Sequence, residues 1–295
     1  MLNINTNDIS NIIDKIKKGI ALNKDEKIFY QGSTDILKSN VKFIKNKKEN
    51  EEYNKCKKSC IYFIENYVKI MHINNPKSLL FTKFENHGKK IISYNNIKLR
   101  KYQVDMINHY LQNKFTLFNK SRQIGHSTIM AAVYIWEVIF NDKKVMHLSY
   151  SSFNSHIFMD KMRDMYSNLP HFLKLTVKNF NKYNIITFNG GSIKSISSNS
   201  KNIDKDFDIL SIDDYKLNNN CEKILKDNYS KKIKITISDN FSMMSKKHYG
   251  ELLNSYNFND MHFNWNIVPG RDSKWKQKTI NEVGIHMFNI SYSVF

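Results

Sequence analysis

From Phe115 onward, short apolar runs alternate with longer stretches of helical periodicity. "FTLFN" reads as a strand, and "TIMAAVYIWEVIF" as a helix apolar on most of its sides. "KVMHLSY" is a second strand, followed by a helix around "SHIFMDKMRDMYSNL" that stops at Pro170. "NIITFNGGSIKSIS" predicts a hairpin with Gly190 and Gly191 at its turn. "FDILSIDD" is a buried strand ending in two carboxylates, and "KKIKITIS" is the next strand. A helix near "KKHYGELLNSY", a strand "HFNWNIV" and a helix from about Ser273 to Glu282 complete the series. Strands alternating with helices imply an α/β fold, with a mostly parallel sheet covered on both faces. Ligands of such sheets sit at the carboxyl ends of the strands.

Before Phe115 the pattern is weaker. Ile9, Ile12, Ile13, Ile16 and Ile20 lie at helical spacing and predict a short amphipathic helix. Residues 38–58 are polar and Lys-rich, the pattern of a solvated helix or linker. The 295-residue length fits one large domain with a small appendage, and 41% hydrophobic residues suffice for a core. The net charge of +19 favours a polyanionic partner, nucleic acid before a membrane surface. The chain is also rich in Asn, Ile and Lys, so compositional bias is a competing source of that charge. Cys56, Cys60 and Cys221 form no even disulfide framework and no zinc pattern; they read as thiols of a reducing compartment. The beginning of the chain has no secretory h-region, and no apolar window is long enough to span a membrane. A cytoplasmic, non-secreted chain is the expectation.

The chemistry concentrates between Lys120 and Thr128, in "KSRQIGHST". A loop between a strand and a helix is the setting of a phosphate-binding P-loop, G-x-x-x-x-G-K-[ST]. Here Lys120 stands at the first glycine position, Gly125 at the second, His126 at the lysine and Ser127 at the metal-binding hydroxyl. Such a loop works through consecutive backbone N–H groups and a helix N-terminus aimed at phosphate. Ser121, Arg122, Gln123, Ile124 and Thr128 complete it. His126 is a poor phosphate cation, because imidazole has a reference pKa of about 6.5. A solvent-facing or supporting imidazole is its alternative. Lys120 has a stem long enough to reach back to the same phosphates, and the fork of Arg122 suits charge developing on a γ-phosphate. The other half of the site is the acidic strand end "ILSIDD". Asp213 would hold Mg²⁺ and Asp214 would orient the attacking water, or else cap a following helix.

Several stretches together resemble the large terminase subunit of tailed phages, the DNA-packaging motor. "FIENYVKIMH" and "LRKYQVDMINHYLQNKFTLFNKSRQIGHST" are similar to that family's leading segment, adenine-side glutamine motif and deviant P-loop. "WNIVPGRDSKWKQKTINEVGIHMF" is similar to the stretch that closes its ATPase domain. The resemblance implies a P-loop NTPase fold of the RecA-like, additional-strand class. It divides the chain into a small helical and basic N-terminal subdomain (1–60), an ATPase domain (61–290) and a tail (291–295) where a nuclease would begin. It implies that Gln103 reads adenine, that Lys120 or the loop lysine position binds phosphate, and that Arg122 is an arginine finger in cis. It also implies that Asp213 and Asp214 are the metal and catalytic carboxylates, and that Thr236, Ile237 and Ser238 form the coupling motif. ATP and Mg²⁺ would be the cofactors. The implied partners are double-stranded DNA, the portal protein, the small terminase subunit and further copies of the chain in a ring; the nuclease would be on a separate chain, lost, or cut off with the reading frame. The place would be the portal vertex of the procapsid in the host cytoplasm.

The chain departs from the family pattern at four places. Ile203 and Asp204 stand where an Arg-Gly pair is usual, Asp214 replaces a glutamate, the coupling stretch lacks its threonine run, and no nuclease follows. These departures sustain a second reading, a degenerate paralogue that binds nucleotide or protein without turnover. A helicase of related fold is a third, without a helicase motif set to support it. Trp265 and Trp275 read as core or domain-closing residues, and His147, His156 and His171 as structural.

Overall fold

The computed structural model describes residues 47–73, 92–200, 203–213, 219–237 and 246–292. The amphipathic helix expected at residues 8–20 lies outside them. Two helices, α1 (Lys47–Lys58) and α2 (Cys60–Tyr67), precede an antiparallel pair of strands, β1 (Lys69–Ile73) and β2 (Ile92–Asn96). Helix α3 (Lys101–Gln112) leads into strand β3 (Phe115–Lys120) and the central helix α4 (His126–Asn141). Then come β4 (Lys144–Ser149), α5 (Ser152–Ser167), and the strands β5 (Val177–Phe180), β6 (Asn184–Thr187) and β7 (Ser192–Ser197). The remainder is β8 (Ile209–Ile212), α6 (Asn219–Asp227), β9 (Lys232–Ile237), α7 (Lys246–Tyr256), β10 (Asn259–Phe263), α8 (Ser273–Val283) and α9 (Ile285–Tyr292).

The main sheet has eight strands in the order β10-β3-β9-β8-β4-β7-β6-β5. The first six are parallel to one another, and β6 and β5 turn back antiparallel. The mostly parallel sheet expected from the alternating pattern is thus present. All six residues of β3 are buried, as a strand covered on both faces requires. Helix α4 is buried on nearly every side, from Ile129 through Phe140 apart from Trp136. It lies between the sheet and helices α2, α3 and α5, and forms the centre of the larger core cluster. The opposite face of the sheet packs Leu117, Leu210, Ile212, Ile233 and Ile235 against Leu225 of α6 and Leu252 of α7.

Two expectations need correction. The strand placed over "HFNWNIV" lies earlier, at Asn259–Phe263, and Trp265–Ile267 forms a 3-10 turn. The Asn264 side chain accepts from the Trp265 N–H at 2.8 Å, and this local bond ends the ladder. The stretch 47–58 is a helix but not a solvated one on all sides. Tyr53 and Cys56 are buried, and the Tyr53 ring meets Phe140 at 5.1 Å. An expected boundary at residue 60 therefore falls between two helices that share the main core. Helices α6 and α9 and strands β1, β2 and β5 carry patterns too short or too polar to be read from periodicity. Among the described residues no helix is long and apolar enough to cross a membrane.

Candidate nucleotide site

Side chains of a strand alternate between faces, so register decides which residues meet. Across the sheet, Thr116, Lys234, Ser211, His147 and Ser195 lie side by side on the face under α4 and α5. All five are buried. The His147 Nδ1 lies 2.9 Å from the Ser211 hydroxyl, and the Lys234 ammonium donates to that hydroxyl at 3.4 Å. One step nearer the carboxyl ends stand Phe118 and Thr236, with Asp213 just beyond β8, where its N–H donates to Leu148 O at 2.8 Å. Lys120 ends β3 at the top of the same face.

The loop joining β3 to α4 closes over this face. Gly125 has φ +84° at the helix N-cap, and a Cβ there would come within 2.8 Å of the Gln103 Nε2. The positive φ is what asks for glycine, since the Gln103 amide is the end of a flexible side chain and could give way. Behind it, the Ser127 hydroxyl lies 3.5 Å from Asp213 Oδ2. Lys120 is buried and acts on the Asp213 carboxylate through space. Burial alone would push the Asp213 carboxyl up; the charges of Lys234 and Lys120 overcome this and hold it below the usual carboxylate range. The sequence reading thus brings Lys120, Ser127 and Asp213 to one place across an interval of about ninety residues.

The structure corrects one residue of that reading and adds contacts to another. His126 does not face solvent; it is 3% exposed, its ring lies edge-on to Phe118 at 5.4 Å, and neither ring nitrogen has a hydrogen-bond partner among the described residues. Burial, reinforced by Lys234 and Lys120, drives its pKa well below the ordinary imidazole value, so it is a neutral core residue. Gln103 is engaged by the loop itself. Its Oε1 accepts from the Arg100 N–H at 3.0 Å and its Nε2 donates to Ile124 O at 3.3 Å, so it braces the loop.

Arg122 and Gln123 are exposed at the loop tip, Ser121 and Ile124 are buried, and Thr128 is half-buried in the first turn of α4. In the coupling stretch, Thr236 shares the Asp213 face, whereas Ile237 belongs to the aliphatic core on the other side. Asp214 and Ser238 lie outside the described residues. Sequence reasoning passed over Lys234 and Ser211. The alternation in "KIKITI" was the available signal, since a doubly covered strand is ordinarily apolar throughout.

The deciding comparison is one of shape. The chain superposes on the large terminase ATPase domain of Thermus phage P74-26 with a TM-score of 0.52 at 13% identity, over 66% of this chain and 92% of that domain. The fold is that of a terminase ATPase domain. The large terminase of bacteriophage HK97 matches with a TM-score of 0.57 at 10% identity, over 81% of this chain. The ADP complex of the large terminase from another thermophilic bacteriophage matches at 0.50 and 13% identity, over 66% of this chain. This chain spans about half the length of these two, 54% and 52%. No protein-family model matches the sequence.

The donor set fits a magnesium ion. Asp213 Oδ1 is buried and has no hydrogen-bond partner among the described residues, next to the Ser127 hydroxyl that meets Oδ2. One carboxylate and one hydroxyl, completed by phosphate oxygens and water, is how Mg²⁺ is commonly held. Among the described residues no cluster of three or more His, Cys, Asp or Glu offers a protein-only metal cage.

Proposed function

We propose that this chain is the ATPase motor of a phage terminase, hydrolysing ATP to move double-stranded viral DNA into a procapsid. The observation that carries this reading is the meeting of Ser127 with Asp213 beneath a glycine-capped loop, with Lys120 buried beside them. Loop amides and the α4 N-terminus bind the phosphates, and Lys120 supplies the cation that His126 does not. Ser127 and Asp213 hold Mg²⁺, which when bound neutralises charge on the phosphate oxygens. Asp214 orients the water for in-line attack, Arg122 meets the charge that develops on the γ-phosphate, and Thr236 begins the link to movement. DNA, the portal protein, the small terminase subunit and further copies of the chain are the partners of this reading. The net charge of +19 supports the DNA partner.

One observation favours a second reading, nucleotide binding without turnover: the lysine position is a neutral histidine turned into the core. Binding and hydrolysis must therefore be measured separately. Mg²⁺-ATP binding by calorimetry and phosphate release are compared for the wild type, Lys120→Ala, Asp213→Asn and His126→Leu. The motor reading expects Lys120→Ala to weaken binding about tenfold or more, Asp213→Asn to abolish turnover, and His126→Leu to leave binding within about twofold. Binding without phosphate release, with DNA and nucleotide both present, supports the second reading. A wild-type chain that binds no nucleotide ends both.

A further inference from the structure

The backbone of the phosphate loop is held from outside by the C-terminal elements. The Ser121 N–H donates to Phe263 O and the Arg122 N–H to Ser291 O, both at 2.8 Å. The Arg271 guanidinium then donates to two consecutive loop carbonyls, Nη1 to Arg122 O at 3.3 Å and Nη2 to Gln123 O at 3.0 Å. The Tyr292 hydroxyl donates to Gln123 Oε1 at 3.3 Å. From the other side, the Tyr102 hydroxyl and the Gln103 amide donate to Ile124 O, at 2.9 and 3.3 Å. Three successive carbonyls, 122, 123 and 124, are thus each fixed by a side chain.

The consequence follows from peptide geometry. In a trans peptide the C=O of one residue and the N–H of the next point in opposite directions. The described residues contain no cis peptide. Pinning carbonyls 122–124 therefore turns the N–H groups of residues 123–125 away from Arg271, Tyr102 and Gln103. Gln123 takes φ +60°, a left-handed conformation uncommon outside glycine and asparagine, so the loop needs such restraint to hold this shape. Arg271 is itself fixed, with its guanidinium 4.6 Å from the Trp275 ring and 5.7 Å from Tyr292. Trp275 stacks on Trp265 at 5.7 Å, and Phe288 closes the cluster.

We propose that Arg271 is a positioning residue for the phosphate loop: through the carbonyls of Arg122 and Gln123 it presets the backbone amides that receive the nucleotide's phosphates. This rests on the nucleotide reading above. It makes the α8–α9 hairpin part of the site, although none of its side chains needs to touch phosphate. It also gives the site an optical reporter, since Trp275 lies against the guanidinium that grips the loop.

The test is calorimetric titration of Mg²⁺-ADP into wild type, Arg271→Met, Arg271→Lys and Tyr292→Phe, with tryptophan emission and thermal melting followed in parallel. Methionine keeps an apolar stem between Trp275 and Tyr292 and loses the fork. Expected are a loss of affinity of about ten- to hundredfold for Arg271→Met, with a melting temperature near wild type. Arg271→Lys should fall between the two, because a point charge cannot hold both carbonyls. Tyr292→Phe should weaken binding by about two- to fourfold. Nucleotide should change the emission of the wild type and change that of Arg271→Met much less. Wild-type affinity in Arg271→Met, or full rescue by Arg271→Lys, overturns the proposal. If Arg271→Met fails to fold, unchanged affinity in Tyr292→Phe and Arg271→Lys overturns it instead. A wild type that does not bind Mg²⁺-ADP is a failure of the nucleotide reading, a separate outcome.

Discussion

The two faces of the central strands are built from alternate residues of the same segments, yet one of them carries a row of buried polar groups among its apolar ones. On one face, Met146, Leu148, Leu210, Ile212, Ile233, Ile235 and Ile237 form an aliphatic layer under α6 and α7. On the other, the same strands place His147, Ser211, Lys234 and Thr236, with Asp213 at the strand end. Both faces are buried, so solvent does not explain the contrast. The difference lies in what each face serves. The aliphatic layer gains free energy by leaving water and asks only for fit. The polar layer spends desolvation to place charge and hydrogen-bonding groups under the phosphate loop, a cost that a bound anion and its metal would offset.

This contrast yields three predictions, taken from the largest expected effect to the smallest. Ile235 is wholly buried in the aliphatic layer. Ile235→Ala should cost about 2–5 kcal/mol of stability in denaturant titration, and nucleotide should restore little of it. A cost below about 1 kcal/mol would mean that this layer is loosely packed and that the contrast is wrong.

The polar layer should make stability depend on pH. Burial pushes the His147 imidazole down to about 3, and His126 moves in the same direction. The unfolded chain protonates these groups near pH 6.5, roughly the reference value. Between the two values the unfolded state binds more protons, so stability is fully present above about pH 6.5 and is lost as pH falls toward 3. The His147 imidazole contributes about 1.4 kcal/mol per pH unit well below 6.5, roughly 2 kcal/mol at pH 5, and His126 adds in the same direction. Denaturation midpoints of the wild type and His147→Gln at pH 7 and pH 5 check this; the variant should lose one imidazole's share of the slope. Parallel slopes would show that His147 titrates in the folded chain as it does in the unfolded one, and that burial does not hold it neutral.

The smallest effect is at Thr236, whose hydroxyl is buried without a partner among the described residues. Thr236→Val removes an unsatisfied group at nearly constant shape and should raise stability by about 1 kcal/mol in thermal or denaturant melts. Mg²⁺-ATP turnover should fall in the same variant. A residue that lowers stability yet raises turnover belongs to the working face; a loss of both would move Thr236 to the structural one.

Much of this was legible before the fold. Periodicity separated β3, α4, β4, α5, β8, β9 and α7 correctly, because long apolar helices and short buried strands carry strong signals. The spacing of Gly125, Ser127 and Asp213, with Lys120 ahead of them, was enough to nominate a phosphate site, since backbone loops at strand ends obey local rules. What the sequence determined, then, is the order of elements and which residue types bear chemistry. Only the tertiary structure decided the orientation of individual side chains. His126 turns inward because a helix's first residue can face the core as well as the loop. Gln103 braces the loop, because the carbonyl of Ile124 lies within its reach. Lys234 joins Asp213 because parallel register, a long-range property of four strands, sets them on one face. Arg271 reaches the loop only through the packing of Trp265, Trp275, Phe288 and Tyr292. The Arg271 bonds to the loop join residues 149 and 148 positions apart, and no local pattern encodes them.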